Sequence, residues 1–109
     1  MKMVTAIINK KDINNVCKEL TNNGIMYTKI ATIGGFLKAN NTTLLIGIEE
    51  EKLDLVLKII RDNSARRTEY LPSLPLTDSP SMMLNAHPVE IEVGGATVFV
   101  QDISYFEKM

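Results

Sequence analysis

Twice along this chain a short run rich in β-branched residues leads into an apolar stripe of helical period. The first run is Met3 to Ile8 (MVTAII), which predicts a buried central strand. Asp12 then stands at a helix-capping position, and Ile13, Val16, Cys17 and Leu20 follow at spacings of three and four, one face of a helix. Asn22-Asn23-Gly24 closes that helix, with Gly24 suited to a left-handed stop. The second run is Thr42 to Ile48 (TTLLIGI). It leads into Glu49-Glu50-Glu51, placed where a helix dipole favours negative charge. Leu53, Val56, Leu57 and Ile60 then form a second stripe, which Leu55 and Ile59 are expected to widen.

The intervening segments complete the pattern. Ile25 to Thr32 favours a strand with Met26, Thr28 and Ile30 on one face and Tyr27, Lys29 and Ala31 on the other. Residues 33–41 form a turn-rich connector. Residues 65–86 contain Pro72, Pro75 and Pro80 and read as a long loop holding at most short extended pieces, a length that is often functional. Alternation returns in Val89 to Val93, breaks at Gly94-Gly95 and resumes in Ala96 to Val100. This order predicts one α+β domain over residues 1–109, a ferredoxin-like βαββαβ sandwich. A long loop separates its second helix from the last strand region. Both helices pack on one sheet face. The strands at Val4–Ile8 and Leu44–Ile48 are apolar on both faces, so the second face is expected to be covered by other subunits. A cyclic trimer would do so.

Charge and cysteine content narrow the function. Twelve Lys and Arg stand against thirteen Asp and Glu, a net charge of −1, which argues against a broad grip on a nucleic-acid polymer. Cys17 is the single cysteine and suits a reducing cytoplasm. The apolar run at the start is too short for a signal peptide or a membrane-spanning helix. His87 is the single histidine and precedes Pro88, with no second ligand at metal spacing. Cys17 lies on an apolar stripe and reads as a packed thiol. The Glu49–Glu51 carboxylates read as surface charge at a helix start. These features predict no catalytic residues, no metal and no cofactor.

The informative stretch runs from Thr28 to Gly47. Gly34-Gly35 exposes backbone N–H groups that can cradle an anion. Phe36 and Leu37 follow at once, and an aromatic ring there can stack on a base. Asn41 offers the paired donor and acceptor that suit an adenine edge. Thr28 can donate to a phosphate oxygen. A plain glycine turn, a small apolar cap on the core and asparagines tolerant of unusual backbone angles account for the same residues without a ligand.

Here the sequence resembles the PII-like signal proteins that bind cyclic di-AMP. The resemblance rests on Thr28-Lys29, Ala31-Thr32, Gly34-Gly35-Phe36-Leu37, Asn41-Thr42-Thr43 and Gly47. A second block, Pro88-Val89-Glu90 and Glu92 to Val100, extends it over the whole chain. It implies a cytoplasmic homotrimer with cyclic di-AMP bound between subunits. Asn41 would read one adenine, helped by backbone at Gly47. Phe36 and Leu37 would pack on the base, Thr28 and Gly35 would hold the phosphates, and Phe99 would lie near the site. Residues 65–86 would be the mobile loop that signals to an effector protein, as yet unidentified. Two positions depart from the pattern: the family usually has Asn and Arg where this chain has Gly24 and Met26. Lys38, Arg66 and Arg67 are the candidates to replace the missing cation. The alternatives are a PII-type sensor of another nucleotide such as ATP, or a divergent member with weak or no cyclic di-AMP binding.

Overall fold

The computed structural model describes residues 1–31, 41–71 and 89–109. Strand β1 (Lys2–Asn9) leads into helix α1 (Ile13–Asn22), then β2 (Thr28–Ala31) and β3 (Asn41–Ile48). A single 3-10 turn at Glu50–Lys52 opens helix α2 (Leu53–Ser64). Strands β4 (Arg67–Leu71), β5 (Val89–Val93) and β6 (Ala96–Asp102) follow. The main sheet has the order β2-β3-β1-β6, antiparallel throughout, and β4 pairs with β5 in a separate two-stranded ribbon. Two helices on antiparallel strands are consistent with a ferredoxin-like, PII-like fold.

The loop expected over residues 65–86 carries an extended piece among its described residues, and the expected final strand region is corrected. Arg67–Leu71 is a strand, and Val89–Val93 is its partner, not the first half of a divided final strand. Thr68 and Tyr70 favour extended backbone, but only the pairing to a segment about twenty residues on shows where that preference is satisfied. Gly94 and Gly95, both near φ +82, turn the chain from the ribbon into β6.

The core lies between the helices and one face of the main sheet. Val4, Ala6 and Ile8 of β1 and Leu44 and Ile46 of β3 are wholly buried there, against Val16 and Leu20 of α1 and Val56 and Ile60 of α2. Helix α1 ends as expected: Gly24 has φ +70, its N–H donates to Thr21 O and the Ile25 N–H to Leu20 O, a Schellman stop. Leu55, expected to widen the α2 stripe, is exposed. It sits about 100° around the helix from Val56, at the margin of the buried arc. Ser64, at the C-terminal end of the helix, is buried, its hydroxyl donating to Ile60 O within the helix.

Candidate functional site

Strand alternation places Met3, Thr5, Ile7 and Asn9 of β1 on the side of the sheet away from the helices. Thr28 and Ile30 of β2, Asn41, Thr43, Leu45 and Gly47 of β3, and Thr97, Phe99 and Gln101 of β6 share that side. None of these residues carries a charge. Such a face can be buried against another surface without the large cost of desolvating an ion. Phe99 is 47% exposed and Ile30 40%.

The register arranges the face in rows. One row runs Thr28, Leu45, Thr5, Phe99 from edge to edge. Its ends are three strand spacings apart, about 14 Å. Asn41 and Gly47 mark opposite ends of β3, six residues and about 20 Å apart. Within one chain, therefore, Thr28, Asn41, Gly47 and Phe99 share a face but do not converge on one point. A single purine cannot touch Asn41 and Gly47 of the same chain. Gly35, Phe36, Leu37 and Lys38, with the other connector residues 33–40, lie outside the described residues, as do His87 and residues 72–86.

The two departures occupy the neighbourhood of β2. Met26 precedes the strand and is 82% exposed. A side chain added at Gly24 would meet nothing within 4 Å. Lys29 falls on the helix side of the sheet, opposite Leu44. Tyr27 also turns to the helix side, where it packs on the core beside Cys17. Hydrogen bonding with the Cys17 thiol raises the Tyr27 phenol above its ordinary pKa, with Thr21 acting in the opposite direction. The bulk of Tyr27 is thus absorbed away from the open face.

Arg66 and Arg67 are engaged elsewhere. Arg67 Nη2 lies 2.9 Å from Asp12 Oδ1 and its Nη1 3.3 Å from Oδ2, a two-pronged pair. Asp12 is 3% exposed and makes no side-chain capping bond, contrary to the helix-cap expectation, because its carboxylate faces the guanidinium. Hydrogen bonding to Asp12 raises the Arg67 pKa. Arg66 Nη1 stands 3.6 Å from Glu92. Spacing alone gave no sign of the Asp12–Arg67 pair, whose members are 55 positions apart.

A cavity of about 280 Å³ opens on the helix side between α2 and β6, lined by Leu57, Ile60, Arg61, Arg66 and Val98 among others. Among the described residues it touches none of the expected ligand residues Thr28, Asn41, Gly47 and Phe99. Among the described residues no cluster of His, Cys, Asp and Glu could hold a metal, and no helix is long and apolar enough to cross a membrane.

Fold and face together define a small α+β domain with one uncharged sheet face left open by its own helices. The family model described as "Cyclic-di-AMP receptor" matches residues 1–109, and the chain belongs to that family. Among solved structures it is similar to a functionally unknown protein from Pediococcus pentosaceus ATCC 25745. The two are 38% identical, the match covers 99% of this chain and 96% of that one, and the TM-score is 0.77.

Proposed function

We propose that this single PII-like domain is a cytoplasmic receptor that binds cyclic di-AMP between the subunits of a homotrimer. It would signal to an effector protein by rearranging residues 65–86, which begin with the first strand of the β4–β5 ribbon. The observation that carries this reading is the open face, where Thr28 and Phe99 stand on opposite edges, about 14 Å apart. One ligand can meet both side chains only if each comes from a different copy, in a cleft where the β2 edge of one subunit approaches the β6 edge of the next. Asn41 reads a purine edge at one end of β3, and the Gly47 backbone serves at the other. Because these two points lie about 20 Å apart along one strand, a single ligand meets both only where each comes from a different copy. Phe36 and Leu37 pack on a base, while Thr28 and the Gly35 amide meet phosphate. The role is that of a receptor, with no chemistry on the ligand.

Calorimetric titration with cyclic di-AMP, cyclic di-GMP and ATP tests this. Saturable heat with cyclic di-AMP, weakened in Asn41→Ala without loss of assembly, is the expected result. No heat with any cyclic dinucleotide at high micromolar concentration would rule the reading out. A second reading, a sensor of ATP or a member with little cyclic di-AMP affinity, is favoured by one observation. Met26 is exposed where the family pattern has Arg, Lys29 falls on the helix side of the sheet, and Arg67 is paired with Asp12.

A further inference from the structure

The β4–β5 ribbon is anchored differently from the rest of the protein. Of its described residues Val93 is buried, yet it stands apart from the apolar cluster beneath the helices. The roots of the ribbon meet the body through polar contacts. Arg67, the first residue of β4, grips Asp12 at the start of α1 with two N–H groups and also reaches Ala65 O at 3.3 Å. Lys11 Nζ lies 2.8 Å from Glu69 Oε2. The Gly95 N–H donates to Ser64 O, joining the exit of the ribbon to its entry.

Gly94 makes this junction close-fitting. A Cβ there would stand 2.7 Å from Arg67 Nη1, 2.8 Å from Ala65 O and 3.0 Å from Asp12 Oδ2. The backbone leaving β5 therefore lies directly on the ion pair, and its φ of +82 is one that glycine adopts without strain. Three segments distant in sequence meet at a single buried carboxylate. A carboxylate so placed is stable only while paired, and the forked guanidinium fixes direction as well as distance. Strands β1 and β3 of the main sheet, by contrast, are held by wholly buried aliphatic side chains.

We infer that Asp12 and Arg67, closed over by Gly94, form a latch that sets the angle of the β4–β5 ribbon on the body, so that opening the pair releases the ribbon while the sandwich stays folded. This rests on the proposed function in one respect: it names the joint about which the signalling segment turns. The ribbon is rooted by directional polar contacts, which have discrete made and broken states, so a ligand that favours one ribbon position can shift its population.

Amide hydrogen exchange on the full-length, unliganded protein tests the latch apart from any ligand. In Asp12→Asn we expect amides of residues 67–71 and 89–93 to exchange about tenfold faster or more, with those of β1 and β3 unchanged. Gly94→Ala, which drives a methyl group into the same pair, should give the same pattern and serves if Asp12→Asn does not fold. Unchanged ribbon exchange would overturn the inference. So would equal acceleration of ribbon and main sheet, because the pair would then be holding the whole fold. Failure to bind cyclic di-AMP would bear on the receptor reading and leave this result standing.

Discussion

Thr28 and Phe99 face the same side of the main sheet from its opposite edges, with Leu45 and Thr5 filling the row between them. Two side chains so placed cannot close on one ligand from a single chain. A shared site makes a specific demand on mixed assemblies. Asn41→Ala and Phe99→Ala should each weaken cyclic di-AMP binding on their own. Unfolded and refolded together, they should regain about one intact site in four, because a wild-type edge from one copy then meets a wild-type edge from the next. Titration of the mixture against each pure variant measures this. No recovery in demonstrably mixed assemblies would place both residues in a site within one chain.

Met26 is the position at which a change should improve binding. It is exposed just before β2, so an arginine there needs no repacking. A charged hydrogen bond to phosphate contributes about 1.5–3 kcal/mol, or roughly tenfold to over a hundredfold in affinity. We expect Met26→Arg to tighten cyclic di-AMP binding by that factor with an unchanged melting temperature. Equal affinity in the two proteins would show that phosphate is met elsewhere.

Leu44 and Leu45 are sequence neighbours with opposite duties. Leu44 is wholly buried under the helices, and Leu44→Ala should cost about 2–5 kcal/mol of stability in denaturant unfolding. Leu45 lies on the open face, where a charge would have to be desolvated only on assembly. Leu45→Asp should therefore leave the far-ultraviolet circular dichroism spectrum intact while sedimentation reports single chains. An undiminished assembly mass would mean that the open face is not the contact between copies.

Acid should loosen the ribbon at Glu69. Lys11 chiefly, and Arg67 after it, hold the Glu69 carboxyl below its ordinary value of 4.5. A group depressed in the folded state stabilises the fold above its unfolded-state pKa, and that contribution fades as pH falls through the folded-state value. Wild type should thus melt above Glu69→Gln at pH 7, with the gap narrowing below about pH 4.5 as the carboxyl takes up its proton. A gap that stays constant from pH 7 to pH 3 would exclude this role.

What local pattern decides was readable without coordinates. The stripes at Ile13, Val16, Cys17 and Leu20 and at Val56 and Ile60 are a matter of helical period, and both are buried. The stop at Gly24 follows from backbone sterics within a few residues. The division of β2 into a Thr28 face and a Lys29 face follows from the pleat. Contacts between distant segments were not readable, because no short-range rule selects a partner dozens of residues away. Asp12 has the local credentials of a helix cap, yet it is taken by Arg67. The stretch after Ser64 has the composition of a loop, yet it pairs Arg67–Leu71 with Val89–Val93. Periodicity also cannot measure separation across a sheet. Residue types at Thr28 and Asn41, and the family resemblance at Gly47 and Phe99, suggested a common site, and only the strand order spread them over a face that one chain leaves open.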